Sequence, residues 1–351
     1  MTNPNGSKFA IPPLDEAAAE AARARQTQLT KPAGSLGRLE DLAIQLAAIT
    51  GKVAPSIEHK SILVFAADHG VTAEGVSAYP AEVTAQMVLN FVRGGAAISV
   101  LSRFTGSRLK VVDIGVAADL PAAEGLLARK IAYGTGNIAR EPAMTREQAW
   151  AALEVGADVA AEEAEKGLDI LVLGEMGIGN TTAAAAVACA LGGFPPEEIV
   201  GRGTGVDDAG LTRKVDAVKR ALARASVSPA DPIGVLEQVG GYEIGGMAGA
   251  MLAAAQRRVP ILLDGFIATA AAMLAATLAP EIRNYLIAAH LSEEQGHGQM
   301  LAFLGLEPLL RLNLRLGEGS GAALALPIVE AAARLHAEMA TFAEAGVSEK
   351  E

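Results

Sequence analysis

The 351-residue sequence predicts an α/β fold: a Rossmann-like open, mainly parallel sheet with helices on both faces, plus a small helical domain built from the two termini. Three observations carry this. Short apolar runs recur along the middle of the chain, each ending in a glycine-containing or polar turn. Long helix-compatible segments separate them, as crossovers between parallel strands require. The two ends are Ala-rich and lack comparable runs.

In chain order, residues 14–25 and the segment after Ser35 read as helices. The first strand covers 62–67 and ends in Asp68-His69-Gly70. A helix over Val83–Val92 leads to a strand at 109–112, before Asp113-Ile114-Gly115. The segment 145–166 reads as a helix opened by a capping box from Thr145 to Gln148. Strand 170–173 runs into Gly174-Glu175-Met176-Gly177, with a helical run over 183–190. The stretch 259–280 is long enough by count to span a bilayer, but Asp264-Gly265 interrupts it and alanines follow. It reads instead as a buried strand, a turn and a packed helix. A last strand at 286–289 ends at His290, and no strand is expected from Pro327 onward. Residues 1–55 and 325–351 are therefore assigned to the small helical domain and 56–324 to the large catalytic domain.

Composition narrows the function. A net charge of −11 without a Lys/Arg-rich run argues against nucleic acid as a partner. The single cysteine, Cys189, lies in an apolar run and rules out a disulfide within the chain; it reads as a buried, inert thiol in a reducing cytoplasm. Asn3, Pro4, Asn5 and Gly6 open the chain without the apolar core of a secretory signal. The 38 glycines exceed the usual share of about 7% and imply many tight turns or close backbone contacts.

In open α/β sheets, ligands sit beyond the C-terminal ends of the strands, where these turns project. The segment Gly174 to Thr182 follows a strand and opens a helix, so its backbone N–H groups and threonine hydroxyls suit a phosphate. A nucleotide-dependent oxidoreductase is one reading of this loop. Thr182 stands where the dinucleotide fingerprint has glycine or alanine, and Glu197 and Glu198 fall at the wrong end of a strand, which disfavours it. A second glycine loop, Gly201 to Asp208, leads to Lys214, whose ammonium could neutralise a phosphate. No P-loop occurs, and the histidine spacing does not suit a metal; His69, at a strand end, is the histidine with a possible role in the site. Near the C-terminus, Arg315-Leu316-Gly317-Glu318-Gly319-Ser320-Gly321 sets one carboxylate among glycines, a placement that suits a base.

Taken together, these segments resemble the nicotinate-nucleotide–dimethylbenzimidazole phosphoribosyltransferase family, which builds the lower nucleotide of cobalamin. The resemblance runs over nearly the whole chain. It includes Thr30 to Glu40, Ala67-Asp68-His69-Gly70, Glu82 to Met87, Gly134 to Ala139, Gly174 to Thr182, Leu262 to Phe266 and Arg315 to Ala323. It implies transfer of phosphoribosyl from nicotinate mononucleotide to 5,6-dimethylbenzimidazole, giving α-ribazole 5′-phosphate and nicotinate, with Glu318 as general base. It places Tyr79, Met87, Met176 and Leu316 around the acceptor base, with Tyr79 where some members have serine. It assigns Glu175 to the ribose hydroxyls and Gly177, Asn180 and Thr181 to the nucleotide. Gly203, Lys214 and Ser292 match phosphate-side positions, and Asp264 and Gly265 lie beside the ribose. No metal or other cofactor is implied, and the family suggests a homodimer. The same chemistry with another benzimidazole, adenine or a phenol as acceptor stays open.

Overall fold

The computed structural model describes residues 9–348. The N-terminal residues Asn3 to Gly6 lie outside this range. The chain opens with helices α1 (Glu16–Gln28) and α2 (Arg38–Thr50), followed by strand β1 (Lys60–Ala67). Helices α3 (Val83–Val92) and α4 (Ala97–Thr105) lead to β2 (Arg108–Gly115), the short β3 (Leu126–Ala128) and the long α5 (Arg146–Glu165). After β4 (Ile170–Met176) come α6 (Asn180–Gly192), α7 (Pro196–Ile199), α8 (Asp208–Ala225), α9 (Pro232–Val239) and α10 (Tyr242–Gln256). Strand β5 (Ile261–Leu263), α11 (Phe266–Leu278), β6 (Leu286–Ala288), α12 (His297–Leu304), α13 (Ser320–Glu338) and α14 (Phe342–Ala345) complete it.

The six strands form one parallel sheet in the order β3-β2-β1-β4-β5-β6. This is the strand order of the dinucleotide-binding α/β sheet, with its reversal between β1 and β4. Period-2 alternation on buried strands divides the core in two. Leu63, Phe65 and Ala67 of β1 join Leu171 and Leu173 of β4 under α5, α6, α10 and α11. Ile62, Val64 and Ala66 face the other way, with Val172, Leu42 and Leu46 of α2 and Leu326 and Val329 of α13. Both faces are covered, which is why these strands read as unbroken apolar runs. Part of the glycine excess serves this packing: a Cβ at Gly156 of α5 would overlap the carbonyl of Gly246 on α10.

The expected strands and helices are present, including the capping box at Thr145 and Gln148. Strand β3 is an addition to the expected set; it is three residues long and pairs only with β2. At the termini, the Arg25 guanidinium donates to the carbonyls of His336, Ala337 and Met339, and Leu29 bridges to Thr341. The single helix α13 runs from the C-terminal edge of the sheet into this terminal cluster. Cys189 is buried, and desolvation pushes its thiol up to about 12.

Candidate active site

A cavity of about 520 Å³ opens beyond the C-terminal ends of β4, β5 and β6, a size suited to a small-molecule ligand. The turns after β4, β5 and β6 meet here because parallel strands deliver their C-terminal ends to one edge of the sheet; those after β1 and β2, at Asp68 to Gly70 and Asp113 to Gly115, were expected to join them but do not line the cavity. The segment before α13 lies directly on β4: a Cβ at Gly174 would overlap the carbonyl of Glu318. Gly317, Glu318 and Gly319 have φ of +86°, +64° and +89°. This left-handed run is inexpensive for glycine and strained for a glutamate, a cost that marks functional positions.

Asp264, just after β5, fixes the turn. Its two carboxylate oxygens accept from Gly319 N (3.1 Å) and Ala322 N (3.0 Å), so it caps the start of α13. Glu318 is 5% exposed, and its Oε2 accepts from Ile98 N at 3.3 Å. Burial raises its pKa above the ordinary carboxylate value; the Ile98 N–H opposes this and Asp264 adds to it. Glu175, at the end of β4, is pushed up to about 8, chiefly by burial and then by Asp264 and Glu243. The Asn180 amide and the Glu318 N–H donate to its carboxylate. Two buried carboxyl groups with raised affinity for protons thus share one wall.

The opposite wall is built from the second glycine loop. Gly203 N donates to Glu294 Oε2 (3.1 Å), and Arg315 donates to the Gly203 carbonyl (3.2 Å). Lys214 lies behind this loop, 1% exposed, with Nζ 3.0 Å from Thr181 Oγ1. Desolvation lowers its pKa to about 8, with Glu294 opposing. The Ser292 hydroxyl accepts from Glu294 N, and Ser292 N donates to His297 Nδ1 at 2.8 Å. Burial, and then His290, hold His297 down at about 3, so its ring is a neutral scaffold.

The cavity brings together Glu318, Tyr79, Met87, Met176, Leu316, Glu175, Gly177, Asn180, Thr181, Gly203, Asp264, Gly265 and Ser292; Lys214 sits one layer behind. Tyr79 and Leu316 stand at the mouth, 56% and 58% exposed. Val83, Phe266, His290, Glu294 and Arg315 also line it. Of these, His290 ends a strand run and Arg315 belongs to the Glu318 segment, so both carried a signal. Glu294 had none, because its place depends on how two distant loops meet. His69 is buried beneath the cavity floor and pairs with Glu243.

A family model described as Phosphoribosyltransferase (DBI_PRT) matches residues 11–347. The chain is 58% identical over 340 residues to the nicotinate-nucleotide–dimethylbenzimidazole phosphoribosyltransferase of Chloroflexus aggregans, covering 97% of this chain and 96% of that one. With the enzyme of the same name from Geobacter sulfurreducens it shares 53% identity over 339 residues, 97% and 96% of the two chains. The crystal structure of CobT from Thermus thermophilus superposes with a TM-score of 0.92 at 52% identity, over 95% of this chain and all of that one. With this similarity along its whole length, the chain belongs to the nicotinate-nucleotide–dimethylbenzimidazole phosphoribosyltransferase family.

Proposed function

We propose that this protein transfers phosphoribosyl from nicotinate mononucleotide to 5,6-dimethylbenzimidazole, forming α-ribazole 5′-phosphate and nicotinate. The observation that carries this reading is Glu318, a buried carboxylate held in a left-handed turn on the wall of a cavity that also holds two glycine loops. The pyridinium of the donor is already cationic and leaves with the bonding electron pair as neutral-ring nicotinate. One ring nitrogen of the benzimidazole attacks the anomeric carbon while the other loses its proton to Glu318. Its raised pKa suits it to accept that proton. Attack on the face opposite the leaving group converts β to α configuration.

In this reading Met87, Met176 and Leu316, with Tyr79 at the mouth, surround the planar acceptor. Glu175 meets the ribose hydroxyls, with Asp264 and Gly265 beside it, and Gly177, Asn180 and Thr181 hold the nucleotide. Gly203, Ser292 and the Lys214 ammonium take the phosphate side. The reading also makes the protein a cytoplasmic homodimer, with the terminal helices as a small domain. Among the described residues no helix is long and apolar enough to cross a membrane.

The test is a chromatographic assay of both substrates with wild type and Glu318→Ala. Wild type is expected to release nicotinate and form α-ribazole phosphate, with the variant slower by ~10²–10⁴-fold, the usual share of a general base. No product with dimethylbenzimidazole, other benzimidazoles, adenine or phenols would overturn the transferase reading. Equal rates would keep the reaction and remove Glu318 as its base.

A further inference from the structure

Beneath the cavity, at the β1–β4 reversal, lies a histidine–glutamate pair that the reaction above does not use. His69 follows β1, and Glu243 sits in the first turn of α10. Their side chains are 0% exposed, with Nε2 and Oε1 2.8 Å apart. His69 Nδ1 and Glu243 Oε2 are buried without a hydrogen-bond partner among the described residues. A polar pair so enclosed is costly to keep, which calls for an account of what it supports.

Its surroundings supply one. A Cβ built on Gly177 would lie 3.4 Å from His69 Cδ2 and Nε2, and one on Gly179 3.3 Å from His69 Cβ. The His69 ring thus packs beside Gly177, although a Cβ there would meet the Ala67 carbonyl first, while one on Gly179 would meet Thr72 Cγ2 at 2.9 Å before the His69 Cβ. From below, a Cβ on Gly241 would press on both His69 and Glu243. The far side of the turn is held by Ile178 N donating to Thr84 Oγ1 at 3.0 Å. The turn leads into Asn180, whose amide holds Glu175.

We infer that the His69–Glu243 pair is a positioning device for the donor-nucleotide turn: the imidazole packs against the turn at Gly177, and Glu243 holds that ring in place. The inference rests on the reading of this turn as part of the nucleotide site. Electrostatics agrees with it. Burial by itself would lower the His69 pKa, but Glu243 and, more weakly, Asp68 outweigh it and raise it. The same Glu243 charge reaches Glu175, adding to burial and Asp264 in raising its pKa.

The experiment measures KM for nicotinate mononucleotide, KM for dimethylbenzimidazole and kcat for wild type, His69→Gln, Glu243→Ala and Glu243→Gln. His69→Gln and Glu243→Ala are expected to raise the donor KM ~10-fold or more, as loss of a ligand-orienting partner does elsewhere. The acceptor KM should stay within about twofold of wild type, a factor worth well under a tenfold energy step. Glu243→Gln, which keeps an acceptor for the ring N–H, should recover most of the donor KM lost in Glu243→Ala. Unchanged donor KM in both disruptive variants, or equal rises in both KM values, would overturn the inference and leave the transferase reading standing. Wild type that neither binds nor consumes the donor would overturn that reading and this inference together. If the variants fail to fold, the His69 ring ¹⁵N resonances of wild type decide: a shift on adding nicotinate mononucleotide but not dimethylbenzimidazole supports the positioning role, and no shift overturns it.

Discussion

Under the proposed reading, Glu318 and Glu175 are two like residues in one wall with different tasks. Both are buried, but Glu175 feels Glu243 as well as Asp264 and is driven to about 8, so at neutral pH it is protonated and adds no charge beside Glu318. Glu318 must be ionised to accept a proton, so kcat/KM should rise with pH through its pKa, which lies above the ordinary carboxylate value of 4.5. Above about 8 two losses coincide: Glu175 becomes a second buried anion and Lys214 gives up its positive charge. A bell-shaped profile is therefore expected, and Glu175→Gln should move its alkaline limb. A flat profile between about pH 5 and 9, with chemistry shown to be rate-limiting, would contradict these assignments. Glu175, Gly177, Asp264 and Glu318 were legible because glycines and strand ends mark them in the chain, whereas Tyr79, Met87 and Ser292 came only from the family resemblance. The protonation of the two glutamates was not legible, because it depends on Asp264 and Glu243, which are distant in sequence.

At the scale of elements, the Glu318 turn is held by a strand end gripping a helix start. Asp264 is in the sequence an unremarkable turn residue after a short strand; in the fold it caps α13 and fixes the turn carrying Glu318. Asp264→Ala removes the acceptor for both N–H groups and should cost about 1–2 kcal/mol of stability, the range for losing a helix cap. Activity should fall further than stability, because Glu318 loses its left-handed support. Urea denaturation together with kcat under fully folded conditions separates the two effects; a loss of kcat no larger than the loss of folded protein would make Asp264 a cap and nothing more. The longer elements were readable from periodicity and capping. Strand β3 was not, since three residues at a sheet edge are too few to show a period.

For the whole molecule, Ala-rich helices and exposed apolar side chains such as Val100 and Phe104 on α4, 51% and 71% exposed, leave surface that a second copy could cover. The proposed homodimer predicts that sedimentation at micromolar concentration gives twice the chain mass; a single-chain mass at all concentrations would remove it. The sequence by itself determined the α/β class, the positions of the long strands and helices, and the residues at the strand ends, because burial on both sheet faces and tight turns leave local marks. Only the tertiary structure decided the strand order, the seating of the Glu318 turn on Gly174, the place of Glu294, and the His69–Glu243 pair under the cavity floor. Each of these depends on segments far apart in the chain meeting at one sheet edge, and no local pattern encodes such a meeting.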